Sequence, residues 1–562
     1  MAENQSSLEQ ALAAIRNFGF QHPDDQLLEC FLCDSVDPET TARYILQKYC
    51  GQQEDLSLTS LLYDWKELVE NVIEQLTHKA KVEGDIVASV TERDGRTCCV
   101  TGLEASFVDP LVATPIFLAI PPHKEVLKYV VFPRTVFTNQ SFKRFRELFG
   151  IFVGSDLQKQ IHSHDARLGG VQNHWLVRQS AAKALAQGYF RFTSTRGSGY
   201  RVSQVTIGGP NRPSIVDKIS TLRRGRFMDH SNSGIETPEI SLLLATSRFS
   251  KSIRWSLVGQ EIASRPRQST KSTLLSSPWP YVSEYVALAF ASIFRLIPAH
   301  LRIRIYQSLK LLGVRTYGPS SSLKVQRLPF GMYLKTTHRD DYQALANEFG
   351  ALRLVRDQTQ VPVPRPLDLV CDADASYLLT TTMPGHRLGS YMDVLSDDDL
   401  DIFKCDMQKY MAQLRSISRQ GDQRHAISNA IGGPCYDYRI VACRDYDKER
   451  DDFFGPFTDE EEFNNTLRTP ALPDVFHPTG HDIVFTHSDI NMRNVLMHNG
   501  RISGIVDWEN SGWFPDYWEY TKAHYVTKLN KRCLAMVDQI FENFGDFKFD
   551  LEIERRLWGY CF

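Results

Sequence analysis

Asp489, Asn494 and Asp507 stand at a spacing that suits phosphoryl transfer. The first two lie in Phe485-Thr486-His487-Ser488-Asp489-Ile490-Asn491-Met492-Arg493-Asn494-Val495-Leu496, and the third opens Asp507-Trp508-Glu509. Moving a phosphoryl group asks for positioning and charge neutralisation more than for covalent chemistry. A carboxylate must accept or orient the proton of the attacking hydroxyl. Mg2+ must bridge phosphate oxygens, and it prefers a few oxygen ligands with water completing its shell. One base, one amide ligand and one carboxylate ligand meet that requirement. Each residue alone would serve as well to cap a helix or close a turn; it is the joint spacing that points to chemistry.

The flanking sequence supplies the elements that must hold these groups. An apolar strand, Ile483 to Phe485, feeds the loop with His487, Asp489 and Asn494. Val495-Leu496-Met497 follows, and Asn499-Gly500 is a strong hairpin signal. The return strand, Ile502 to Val506, brings Asp507 back beside the loop.

These residues resemble the aminoglycoside phosphotransferase and choline kinase family, in the form common in fungal proteins. The resemblance implies an α+β, bilobal protein-kinase-like domain with a small antiparallel-sheet lobe and a mainly helical lobe. It implies ATP and Mg2+, with Asp489 as catalytic base, His487 bracing the catalytic loop, and Asn494 and Asp507 as metal ligands. The family usually has Gly where Ser488 stands; protein kinases place Arg there, so a side chain fits. A nucleotide-binding lobe should then lie upstream. Arg315 to Val325 looks like strand, turn, strand, with Gly318, Ser320, Ser321 and Ser322 donating to phosphate oxygens; it reads equally as a plain hairpin. Pro329-Phe330-Gly331 turns the chain into the strand Met332 to Lys335. Lys335 sits where the family places the lysine for the α- and β-phosphates. On the next helix Leu345, Phe349 and Leu352 make a buried stripe, and Glu348 borders it, able to face Lys335. Strands follow near Leu367 to Val370 and Tyr377 to Thr381. Thr382-Met383-Pro384-Gly385 resembles the connection between lobes, which puts adenine against the backbone of Thr381, Thr382 and Met383. Asp397 to Ile417 reads as a helix, and the aromatics of Trp513 to Tyr520 as core. The resemblance runs from Val314 to Phe562.

The remaining chain reads differently. At 562 residues two to four domains are expected. Residues 1–85 read as helices, with Asp37 capping and Pro38 at the first position of one of them. Residues 86–207 suggest short strands at Asp85-Ile86-Val87, Cys98-Cys99-Val100 and Phe190-Arg191-Phe192. Residues 208–280, rich in Ser, Arg, Gly and Pro, read as a linker or irregular segment. Residues 281–562 form the kinase-like domain, with a leading helix that stops at Gly313. Arg93 to Gly102 and Asn173 to Phe190 resemble the opening and closing parts of fungal HNH nuclease-like domains. Such a nuclease needs histidines to activate water and hold metal. They should fall near Thr114 and Ala182, and Ala186 stands where an acid is usual. His162 and His164 match neither place, so the region reads as a degenerate HNH-like scaffold.

Composition narrows the function. The net charge of -3 offers no basic excess for nucleic acid. The cysteines, Cys30 and Cys33 among them, read as buried free thiols of a reducing compartment. The N-terminus lacks a signal core. Tyr285 to Ile297 is too short to span a bilayer. The expectation is a cytoplasmic, ATP-dependent phosphotransferase acting on a hydroxyl of a small molecule. The alternative is a pseudokinase that binds nucleotide or serves as a scaffold. Asp507-Trp508-Glu509, where protein kinases have Asp-Phe-Gly, argues against a protein kinase.

Overall fold

The computed structural model describes residues 6–50, 57–77, 82–117, 139–162, 169–196, 199–208, 212–217, 224–264, 288–289, 292–294, 296–318, 320, 322, 324–419, 424–437, 453–527 and 531–559. The chain divides into two compact units, Met1–Arg267 with Met392–Asp397 and Gln268–Tyr391 with Asp398–Phe562.

The first unit begins with the expected helices, Ser7–Asn17, Asp24–Cys33, Pro38–Tyr49 and Leu58–Thr77. Asp37 caps the third, with Pro38 at its first position. Trp65 is fully buried against Phe31, Phe152 and Phe249. Its indole N–H donates to the Leu27 carbonyl at 3.1 Å, so the apolar ring is buried without stranding its polar atom. Of the two thiols expected to be buried, Cys30 is and Cys33 is exposed.

Three further expectations fail in this unit. Asp85-Ile86-Val87 lies in a helix, Gly84–Arg93, not a strand. Burial recurs at Ile86, Ser89, Val90 and Arg93, a helical period that a three-residue apolar run cannot reveal. Cys98 to Val100 forms a turn, with the Cys99 N–H bonded to the Leu176 carbonyl. The supposed linker contains a short helix, Ser214–Asp217, a short strand, Arg224–Arg226, and two longer helices, Ile240–Arg248 and Ser250–Ser264. Its serines misled because they are buried partners of a strand. Ser247 Oγ exchanges hydrogen bonds with the Phe192 backbone, and Ser250 Oγ donates to the Phe190 carbonyl at 2.6 Å. That strand, Phe190–Ser194, is the one expected there, and it pairs with Gly199–Gln204.

Thr114 lies on Leu111–Pro115, antiparallel to His174–Arg178, and Ala182 and Ala186 lie on the following Gln179–Ala186 helix. These three residues share a cavity of about 40 Å³ with Trp175, Phe190 and Phe192. The positions at which the HNH resemblance expects imidazole and carboxylate therefore line a mainly apolar cavity in this chain. His164 and the side chain of His162 lie outside the described residues.

The second unit opens on the helix Ala299–Tyr317. Arg315-Thr316-Tyr317 is its last turn, not a strand, and Gly313 is inside the helix. Gly313 is small because the Arg327 carbonyl lies against it, where a Cβ would overlap. The helix ends at Gly318, whose φ is +79°, a conformation glycine adopts without cost. A four-stranded antiparallel sheet follows in the order Val325–Leu328, Met332–His338, Ala375–Thr381, Pro366–Cys371. Leu328, Met332, Leu334 and Leu379 on one face pack against Ile303 and Tyr306 of the leading helix. Side chains alternate along a strand, so Lys335 points to the other face, toward the helix Tyr342–Gln358.

Beyond this small lobe the described chain becomes mainly helical around three small sheets. The helix Asp397–Arg415 stands where one was expected. Ile483–Thr486 pairs with Gly512–Pro515. Val495–His498 and Arg501–Ile505 form the expected hairpin, closed by Asn499 (φ +50°) and Gly500 (φ +72°). The helix Trp518–Thr527 and the aromatics leading into it are buried, as expected. Among the described residues no helix is long and apolar enough to cross a membrane.

Candidate functional site

The loop after Ile483–Thr486 is held from behind. Ser488 has φ +65°, which costs a residue with a Cβ on the order of 1 kcal/mol. This conformation explains why glycine suits the position. The conformation is held by the Glu519 carboxylate, which accepts the N–H groups of His487 at 2.6 Å and Ser488 at 3.1 Å. Ser488 Oγ also lies 2.8 Å from Thr486 Oγ1. Burial raises the Glu519 pKa, and those N–H groups oppose the rise.

His487 is fully buried. Its Nδ1 accepts the Asp489 N–H at 3.2 Å, and its Nε2 lies 3.1 Å from the Val506 carbonyl. A carbonyl only accepts, so the network assigns the proton to Nε2. Burial pushes the imidazole down to about 4, which keeps it neutral. His487 thus joins the loop to the strand end before Asp507, as a brace behind the site. Asp489 is half-buried and points the other way. Asn491 and Asn494 donate to its two carboxylate oxygens at 3.0 and 2.8 Å. Burial pushes its carboxyl up to about 7, with Lys522 opposing that rise and Asp507 adding to it. The Asn494 side-chain nitrogen is spent on Asp489, which leaves its oxygen as the acceptor end.

Two distant segments converge on Lys335. Its Nζ lies 2.8 Å from Glu348 Oε2, 2.6 Å from Asp507 Oδ1 and 2.8 Å from Glu509 Oε2. The spacing of Glu348 on its helix thus delivers the inward-facing carboxylate that the sequence suggested. Burial disfavours the ammonium, but Glu348, Glu509 and Asp507 outweigh it and hold the lysine pKa well above its usual value. Burial raises Glu348, whereas Lys335 overrides burial at Asp507 and lowers it. Asp507, like Ser488, has a positive φ, +70°. Two non-glycine residues in this conformation within one site are the kind of local strain that marks functional positions.

The residues that the resemblance puts on the nucleotide side are placed as follows. Thr381 closes the sheet opposite Met332, and its N–H donates to the Arg365 carbonyl. The Thr382 N–H donates to the Gly331 carbonyl at 2.8 Å. Of the three residues, Met383 keeps an N–H not engaged among the described residues. Its side chain lies over Gly504 of the Val495–Ile505 hairpin. The serine segment departs from the expected strand-turn-strand. Gly318 caps a helix, and buried Gln326 ties the segment down by accepting the Ser320 N–H and donating to the Gly318 carbonyl. Ser322 donates its N–H to Ser320 Oγ. The segment enters its strand beside Lys335, since Thr336 N–H bonds to the Lys324 carbonyl and Val325 faces Lys335. Ser321 lies outside the described residues.

Sequence reasoning missed three functional candidates. Glu509 follows Asp507 by two residues, and the buried Trp508 between them takes the opposite side. That alternation was visible in Asp-Trp-Glu. Glu519 gave no signal, because its partners are backbone N–H groups. Lys522, buried with Asp437 at 2.8 Å, gave none either.

Residues 325–543 match the phosphotransferase enzyme family, so the C-terminal half carries a domain of that kind. The chain is also similar to solved structures. Aminoglycoside phosphotransferase APH(4)-Ia matches at 13% identity and a TM-score of 0.27, over 46% of this chain and 97% of its own. APH(3'')-Id from Streptomyces rimosus, in complex with ADP and streptomycin, matches at 16% and 0.31, over 45% and 97%. Aminoglycoside-3'-phosphotransferase of type VIII matches at 17% and 0.29, over 43% and 91%. With scores of this size, the family match is what bears on this chain.

Proposed function

We propose that the domain in residues 325–543 transfers the γ-phosphoryl group of ATP to a hydroxyl group of a small molecule. The observation that supports this best is the convergence of Glu348 and Asp507, from two separate parts of the chain, within 2.8 Å of the Lys335 ammonium nitrogen. A single lysine held by a helix carboxylate is the arrangement a phosphate-binding site needs.

Lys335 would bind the α- and β-phosphates, with Glu348 holding it in place. Ser320 and Ser322 stand at the entry to the neighbouring strand and would cover the phosphates. Adenine would meet the backbone at Thr381 to Met383, where the Met383 N–H is the donor to hand. The Asn494 amide oxygen and the Asp507 carboxylate are hard oxygen donors, a set that fits Mg2+ better than a softer metal. When bound there, Mg2+ would neutralise phosphate charge. Asp489 would receive the acceptor's proton. The hydroxyl oxygen forms a bond to the γ-phosphorus, the bond from that phosphorus to the bridging oxygen breaks, and ADP leaves with the electron pair. His487 and Glu519 would fix the loop and do not touch the reactants. The first unit is read as a scaffold without nuclease chemistry, which the apolar surroundings of Thr114, Ala182 and Ala186 support.

Thermal stability of the full chain with Mg·ATP, and with ATP plus EDTA, tests this. A ligand at a hundredfold excess over Kd stabilises by about 2.7 kcal/mol. The wild type should shift more with magnesium present than with EDTA. D489N should keep that shift yet lose phosphoryl transfer in a screen of hydroxylated acceptors, whereas D507A should lose the magnesium-dependent part. Equal turnover in wild type and D489N would remove Asp489 as the base. No shift in the wild type at millimolar nucleotide would overturn the proposal.

A further inference from the structure

Asn347 precedes Glu348 on the Tyr342–Gln358 helix and is 3% exposed. Its side-chain nitrogen donates to the carbonyls of Glu509 at 2.9 Å and Ser511 at 2.8 Å. Its oxygen accepts the Ala430 N–H at 2.8 Å. Both N–H donors and the oxygen of the amide are thus engaged by backbone from two other segments, and one of them is the loop that begins with Asp507.

A second feature of the same helix face acts alike. Gly350, one turn on, lies so close to Ile431 that a Cβ would overlap its Cγ2. Ala430 also donates to the Ser511 carbonyl, and Ser428 and Asn429 pair with Trp513 and Gly512. Asn429 shapes this turn by accepting the N–H groups of Ile431 and Gly433. The helix with Glu348, the loop with Asp507 and the turn at Ala430 therefore meet at one amide. A side chain with two N–H donors and one acceptor is the chemistry this junction needs. An aspartate there would face two carbonyls with no proton to give, and an alanine would leave the Glu509 carbonyl without its partner and the Ala430 N–H and Ser511 carbonyl with only their own 3.2 Å contact.

We propose that Asn347 is a positioning residue that sets the spacing between the Glu348 helix and the Asp507 loop, holding Lys335 and the metal-binding carboxylate in one arrangement before nucleotide arrives. This rests on the phosphotransferase reading. It makes the helix a fixed strut of the site. It also assigns Gly350 a role, as the place where the strut seats against Ile431.

The test is calorimetric binding of AMP-PNP to the full chain with and without Mg2+. N347D matches asparagine in size. Its magnesium-free affinity should stay at the wild-type level, because Lys335 keeps Glu348. The gain in affinity on adding Mg2+ should fall by about tenfold or more, the scale of losing buried hydrogen bonds. A merely structural residue would not lower the magnesium gain alone. G350A should show the same selective loss, and I431A in the G350A background should restore the gain by making room for the new Cβ. This pair decides the matter should N347D fail to fold. A wild-type magnesium gain preserved in N347D, or in G350A, overturns the inference. A wild type that binds no AMP-PNP removes the phosphotransferase reading itself.

Discussion

Replacing Lys335 with methionine keeps the hydrocarbon stem and removes the charge from among three carboxylates. Oxygens of Glu348, Asp507 and Glu509 lie within 4.8 Å of one another. Two unit charges at 4.8 Å repel by about 3.5 kcal/mol at an effective dielectric near 20. The Asp507 side chain is 39% exposed, so water screens its share. Glu348 and Glu509 are only 8% and 18% exposed and carry most of the strain. Breaking a buried ion pair by removing one partner typically costs about 3–5 kcal/mol, and K335M should fall in that range at pH 8. The cost should shrink at pH 5. Protonating one carboxyl relieves the repulsion, and Glu348, which burial already raises, takes up that proton first. Added Mg2+ should restore part of the loss in K335M and do less for the wild type, whose ammonium already occupies the cluster. Differential scanning calorimetry reads all three effects. A chain of two units need not unfold in one step, so the C-terminal transition is identified by its shift with Mg·ATP. If K335M unfolds like wild type at both pH values and ignores Mg2+, Lys335 does not hold these carboxylates together in solution, and the argument for the site fails with it.

Two further outcomes follow from the same geometry. S488G should stay within about 1 kcal/mol of wild type, since relief of the positive φ offsets the lost Thr486 contact, whereas S488V should cost about 1–3 kcal/mol on denaturant unfolding; equal stabilities would contradict the left-handed conformation. His477 is buried with its ring nitrogens 2.9 Å from Asp550 and 3.0 Å from Glu554, stacked on Tyr517. Burial lowers its pKa, but the two carboxylates outweigh it and raise the pKa. Stability from this group is therefore complete below the unfolded histidine value and is lost as pH rises through the higher folded one. H477Q should lower the C-terminal transition most at acidic pH and flatten its decline toward alkaline pH; a decline as steep as in wild type would refute the ion pairs.

Much of the site was legible because its residues sit on strong local signals. The Asn499-Gly500 hairpin and the apolar runs around it are short-range features, and they alone place Asp489, Asn494 and Asp507 on neighbouring loops. Lys335 and Glu348 were singled out chiefly by the family resemblance, with the apolar stripe of the Tyr342–Gln358 helix showing only that Glu348 borders a buried face. The misread segments share a cause. Gly313 looked like a helix stop because its reason for being small, the Arg327 carbonyl, lies elsewhere in the chain. The serines of Ile240–Ser264 looked like a linker because the strand whose backbone they satisfy cannot be seen from their own neighbourhood.

By itself, then, the order of residues determined which groups could do chemistry and on which elements they ride, since turns, periodicity and alternation are local properties. Tertiary structure decided how those elements meet. It brought Glu509 to Lys335, set Glu519 beneath two backbone N–H groups and spent the amide of Asn347 on two separate segments. Those contacts join side chains to backbone or to residues far away in the chain. Backbone groups are the same at every position, so nothing in the amino-acid order announces such a partner until the fold brings it within hydrogen-bond reach.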